Sequence, residues 1–109
     1  GRRLVAAFQP HLFTRTRDFA TEFGEALATA DVVYLAEIYP AREQPIAGVT
    51  SDLVEREMTA GRLAWRGERA ALAEALAGFV RPGDVVLTIG AGDVTRTGPE
   101  LLERLRSRA

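Results

Sequence analysis

The sequence predicts an α/β domain built in three layers, a mostly parallel sheet with helices on both faces. Three observations carry that expectation. Continuous apolar runs occur at Leu4–Phe8 and Val32–Ala36, the pattern of strands covered on both sides, and Asp84–Ile89 reads as a last strand. The segments between them show helical periodicity, and strands alternating with helices imply parallel strands joined by right-handed crossovers. Each run also ends in residues that stop a strand and turn the chain: Gln9-Pro10, Tyr39-Pro40 and Gly90-Ala91-Gly92.

Composition sets the bounds. At 109 residues the chain fits one domain, residues 1–109, and is long enough to bury a real core. Its apolar content of 47% and charged content of 27% are those of an ordinary globular protein. A formal net charge of −1 gives no bulk attraction to nucleic acid or to an acidic membrane surface. There are no cysteines, which excludes disulfides and thiolate metal sites within the chain and favours an intracellular location. No apolar run approaches the roughly 20 residues of a membrane span, and no signal peptide is visible.

All fourteen basic residues are arginine, so a Walker A loop, a Schiff-base lysine and a lysine acid or base are impossible in these residues. One histidine rules out a site with two or three histidine ligands. The chain opens on Gly1 and enters a strand almost at once, which reads as a piece of a longer protein.

Taken in order, Leu4–Phe8 is a buried strand that must stop at Pro10, because proline cannot donate to a ladder and holds Gln9 extended. The stretch that follows, His11-Leu12-Phe13-Thr14-Arg15-Thr16-Arg17-Asp18, then lies at the carboxyl edge of a strand, where open α/β sheets bind ligands. It holds the single histidine and two arginines spaced i, i+2, a grouping suited to an anion; a capped helix start with solvated arginines accounts for it equally. Thr14 or Thr16 can cap the next helix, with Asp18 in its first turn. The helix pattern begins at Phe19, where Phe19, Phe23, Ala26, Leu27 and Ala30 form an apolar stripe expected in the core.

Asp31 closes that helix, and Val32–Ala36 forms the second strand, carried to its edge by Glu37-Ile38-Tyr39. The segment from Pro40 to Val49 holds two prolines and a glycine and reads as a loop, either a surface connector or, being on the same edge as His11, part of a site. Thr50 or Ser51 caps a short helix with Leu53, Val54 and Met58 on its apolar side and Gly61 as its stop. Leu63-Ala64-Trp65 is a weak strand, Trp65 packing on a helix or edge. Leu72, Leu76, Phe79 and Val80 make the stripe of a helix over about 68–80, and Arg81-Pro82-Gly83-Asp84 is a turn. The last strand runs into Gly90-Ala91-Gly92-Asp93, a turn that either lets a phosphate approach backbone N–H groups or simply joins strand to helix, since Thr95 replaces a third glycine. Gly98-Pro99 starts the final helix. The whole reads as a Rossmann-like three-layer domain whose strand order is not legible.

Four segments, in order, resemble the Mur ligase family. Phe8-Gln9-Pro10-His11-Leu12-Phe13-Thr14-Arg15-Thr16-Arg17-Asp18 is similar to an FQPHxxxRTRD segment of the family's C-terminal domain. Ile38-Tyr39-Pro40-Ala41-Arg42-Glu43-Gln44-Pro45-Ile46 resembles its IYPAREEPI loop, Gly48-Val49-Thr50-Ser51 the helix start after it, and Val86–Asp93 its final strand and GAGD turn. The resemblance implies a partial C-terminal domain lacking its first strand–helix unit, where a DDYxHHP segment would lie, and inactive alone. It implies a cytoplasmic, three-domain enzyme of peptidoglycan synthesis that joins L-alanine to UDP-N-acetylmuramate through an acyl phosphate. ATP and Mg²⁺ would sit mainly on the central domain and the UDP-sugar on the N-terminal domain. These domains would be this chain's partners, with no nucleic acid and no membrane. His11 and Arg15 would stand near the amino-acid carboxylate and the reacting phosphate, with Thr14, Tyr39 and Glu43 contributing to substrate binding. Leu12 departs from the arginine that many members carry there. Apart from the resemblance, the residues also allow an independent Rossmann-like module binding a nucleotide or other anion, or an interaction domain with an exposed apolar edge.

Overall fold

The computed structural model describes residues 2–58, 62–90 and 93–108. Its elements alternate: β1 (Leu4–Phe8), α1 (Phe13–Leu27), β2 (Val32–Ala36), α2 (Asp52–Arg56), β3 (Leu63–Gly67), α3 (Arg69–Ala77), β4 (Val85–Ile89), a 3₁₀ turn (Asp93–Arg96) and α4 (Thr97–Arg108). The four strands form one parallel sheet in the order β3-β2-β1-β4. This is the Rossmann-like α/β architecture expected.

Alternation along the strands divides the core between the two faces of the sheet. Val5, Ala7, Tyr34 and Ala36 point toward Leu72, Leu76, Val94 and Leu101, so α3 and α4 cover one face. Ala6, Phe8, Val33 and Leu35 point toward Leu27, Ala30 and Val54, so α1 and α2 cover the other. The helices are pressed close. A Cβ on Gly24 of α1 would lie 2.7 Å from the backbone of Glu57, just after α2. The strands are pinned at their amino ends by Asp31, which accepts from the Leu4 N–H at 2.7 Å, and by Asp84, gripped by Arg3 at 3.0 and 2.6 Å.

Several local expectations are corrected. The first helix begins at Phe13, six residues before the apolar stripe, and is kinked where Phe19 leaves helical geometry (φ −122°, ψ 18°). That kink takes Phe19 off the core stripe and leaves it 49% exposed, while Phe23 reaches Phe8 at 5.2 Å between ring centroids. Asp18 is therefore outside the first turn, and neither Thr14 nor Thr16 is the cap: the cap position is Leu12. Asp31 lies beyond the end of the helix. Ser51 occupies the cap position of α2 without capping it, because its hydroxyl donates to Glu37, and the Thr50 hydroxyl instead accepts from the Asp52 N–H. The helix ends at Arg56, and Gly61 lies outside the described residues. Trp65 stacks on Tyr34 across the sheet at 5.8 Å. The third helix stops at Ala77, before Phe79 and Val80, and the last starts at Thr97 after the 3₁₀ turn.

Candidate functional site

The carboxyl edge of β1 is the centre of the candidate site. Past Phe8 the chain stays on the sheet for one more step, as the Gln9 N–H donates to Ile89 O at 3.0 Å. Gln9 is buried and its amide donates to Glu37 O at 3.1 Å, tying the ends of β1 and β2 together. Pro10 is fully buried, and its carbonyl accepts from the Tyr39 N–H at 2.8 Å; the Leu12 N–H returns a bond to Tyr39 O at 2.8 Å. These bonds form a parallel bridge between His11 and Tyr39, beyond the ends of the two strands. The rings stack, 5.7 Å between centroids and 15° between planes. His11 Nδ1 is buried with no hydrogen-bond partner among the described residues.

The chain then turns through a costly conformation. Leu12 has φ 69° and ψ 140°, a region that side-chain-bearing residues seldom enter and that costs about 1–3 kcal/mol. It is held on both sides: its N–H by Tyr39, its carbonyl by the Thr16 N–H at 3.1 Å and the buried Thr16 hydroxyl at 2.7 Å. Helix α1 starts immediately after, so Arg15 stands exposed in its first turn. Arg17 is exposed too and pairs with Asp18 at 3.0 Å.

The loop after β2 meets that first turn. Glu43 accepts from the Thr14 N–H at 3.1 Å and from the Thr14 hydroxyl at 2.6 Å. The Thr14 hydroxyl, foremost, and the Thr14 and Phe13 amides hold the Glu43 carboxyl below its usual range, against the opposing effect of burial, with Arg17 adding a smaller contribution. The glutamate's own N–H closes a turn onto Pro40 O at 2.9 Å, with Ala41 at φ 52°.

From the other side comes the end of β4. Gly90 has φ 142°, and a Cβ there would sit 2.6 Å from Gln9 O, so only glycine allows this strand to close on β1. Ala91 and Gly92 lie outside the described residues, and Asp93 opens the 3₁₀ turn. A cavity of about 330 Å³ at this edge is lined by Gln9, Glu37, Tyr39, Glu68 and Arg69, among others.

The structure therefore joins His11 to Tyr39 and Thr14 to Glu43 and sets Gly90 against the root of the same stretch, with Arg15 exposed beside them. Sequence reasoning missed the strained Leu12 and the buried Gln9. The first has no residue-type signal, since leucine gives no hint of a positive φ; the second was foreshadowed by a polar residue directly before a strand-ending proline. An exposed guanidinium at such an edge can grip a carboxylate or phosphate and stabilise developing negative charge. Among the described residues no group of three or more His, Asp or Glu side chains is placed to hold a metal ion.

The family model described as "Mur ligase, glutamate ligase domain" matches residues 1–92. The chain is 55% identical over 109 residues to a UDP-N-acetylmuramate–L-alanine ligase of Cutibacterium acnes, covering 98% of this chain and 23% of that protein. It is 50% identical over 105 residues to the ligase of the same name from Streptomyces avermitilis, covering 94% of this chain and 23% of the relative. It is 48% identical over 109 residues to that of Mycobacterium tuberculosis, covering 100% of this chain and 22% of the relative. The chain thus spans less than a quarter of the length of these relatives.

Proposed function

The chain belongs to the Mur ligase family, and from that premise we propose that it is part of a UDP-N-acetylmuramate–L-alanine ligase and forms one wall of its active site. The observation that carries this reading is the pairing of two segments distant in sequence, His11 with Tyr39 and Thr14 with Glu43, into one surface beside exposed Arg15. The reaction is ATP-dependent. The γ-phosphoryl group passes to the lactyl carboxylate of UDP-N-acetylmuramate; the amine of L-alanine attacks the resulting acyl phosphate; the tetrahedral intermediate loses a proton and expels inorganic phosphate. ATP, with Mg²⁺, and the UDP-sugar are bound chiefly by domains outside these residues, and the enzyme works in the cytoplasm.

In this scheme Arg15 grips alanine's carboxylate or the departing phosphate, and His11 stands beside it, its ring fixed by the Tyr39 stack. Thr14 and Glu43 complete the wall, and Gly90 at the end of β4 borders it. A guanidinium contributes most where charge grows in the transition state. In the ligase polypeptide carrying this chain, Arg15→Ala is therefore expected to lower kcat/KM by about 2–4 kcal/mol. An unchanged rate would make Arg15 a solvated helix residue and nothing more.

These 109 residues contain no P-loop, so the isolated chain is expected to give no ATP-dependent ligation and to regain it when joined to the N-terminal and central domains. Turnover by the isolated chain would defeat that expectation. Titration with ATP, UDP-sugars and inorganic phosphate separates the other reading: binding tighter than millimolar by these residues alone would favour an independent anion-binding module.

A further inference from the structure

Helix α1 carries Arg15, yet its cap position is Leu12, whose side chain offers no acceptor for the helix's first N–H groups. The acceptor comes from 29 residues away. Glu43 takes both the N–H and the hydroxyl of Thr14, the residue just before Arg15. A carboxylate at this end of a helix is favoured by the aligned backbone dipoles, and its hydrogen bonds are charge-assisted.

The same loop also holds the residue that precedes the helix. Leu12 persists at φ 69° because Tyr39, four residues before Glu43, receives its N–H. Residues 39–43 thus grip the strained turn at two points, the bridge to His11 and Leu12 on one side and the cap on Thr14 on the other. The bridge fixes the chain just before the helix, and Glu43 satisfies its first turn.

We infer that Glu43 is a positioning residue, a cap supplied at long range by the loop after β2 that aims Arg15 and seats it beside His11; the inference rests on the function proposed above. On this view Glu43 and Thr14 serve the reaction through each other and not by touching substrate. Removing either leaves the chemistry of Arg15 intact but lets its first helical turn fray.

The test pairs two readouts. Hydrogen exchange of the 12–18 segment is measured in the 109-residue chain and in the ligase polypeptide carrying it, and steady-state kinetics with L-alanine in the latter. Glu43→Gln and Thr14→Val are each expected to speed exchange at Thr14 and Arg15 roughly tenfold and to lower kcat/KM for alanine by about the same factor. Thr14→Ser, which restores the hydroxyl, recovers most of both losses. The decisive comparison uses Arg15→Ala as background: there Glu43→Gln costs nothing further in kcat/KM, although it still speeds exchange. A full additional loss in that background would make Glu43 either a substrate contact or a general stabiliser and would overturn the inference. Faster exchange with unchanged kcat and KM would overturn it as well. If Arg15→Ala itself leaves the rate unaltered, the proposed function fails, whatever Glu43 does.

Discussion

Leu12 concentrates the cost of the site in one residue. Its φ of 69° with ψ of 140° is open to glycine without penalty, but strains any residue with a Cβ. The ordinary ranking of alanine over glycine should therefore invert here. Leu12→Ala keeps the strain and loses the partly buried leucine side chain. Leu12→Gly loses the same side chain but releases about 1–3 kcal/mol of backbone strain, against about 0.5–1 kcal/mol for glycine's greater freedom when unfolded. The glycine variant is expected to be the more stable of the two by about 1 kcal/mol in chemical denaturation. An alanine variant as stable as the glycine one would mean that Leu12 is not strained in solution.

At the scale of elements, what holds the sheet in register is partly ionic. Arg3, entering β1, lies over the Phe79 ring and grips Asp84, entering β4, while the Arg81 N–H adds a third bond to the same carboxylate at 3.0 Å. These bonds, Arg3's first, hold the Asp84 carboxyl below its ordinary value against the opposing effect of burial, as Thr14 does for Glu43. A carboxyl whose value is depressed on folding stabilises the fold above its unfolded value, near 4, and that contribution is lost as pH falls through the folded value. Stability should hold down to about pH 4 and decline below it, and Asp84→Asn should flatten that decline while lowering the melting temperature at neutral pH. An acid limb unaltered by Asp84→Asn would remove the pair from the account.

Elements of this kind differ in how far sequence exposes them. The strands at Leu4–Phe8 and Val32–Ala36 were legible to the residue because a strand covered on both faces must be continuously apolar. The start of α1 was not, because its cap comes from a loop 29 residues on, and no local pattern contains that bond. His11 and Arg15 stand out as residue types at a strand edge, but the links of His11 to Tyr39 and of Thr14 to Glu43 depend on β1 and β2 being neighbours. Strand order, which decides that, lies in tertiary crossovers and in no single segment.

The molecule as a whole is unevenly covered. Among the described residues strand β4 pairs with β1 alone, and of its residues on the α1 face Val85 and Leu87 are 43% and 51% exposed. On the opposite face a hollow of about 680 Å³ opens among Val86, Thr88, Leu102, Leu105 and neighbouring residues. Such an edge offers unpaired backbone groups flanked by apolar side chains, the combination that recruits another strand. A strand beyond β4 leading by a helix into β1 would, by the right-handed crossover rule, set that helix on the α1 face, over Val85 and Leu87. The 109-residue chain alone is therefore expected to self-associate with rising concentration in sedimentation velocity. Leu87→Lys, which places a charge on that edge, should return it toward monomer, and a longer polypeptide that supplies the strand and helix should stay monomeric where the short one does not. A chain that remains a single monomeric species over a wide concentration range would show that α1 and α4 already close this edge in solution, and the argument from exposure would fall.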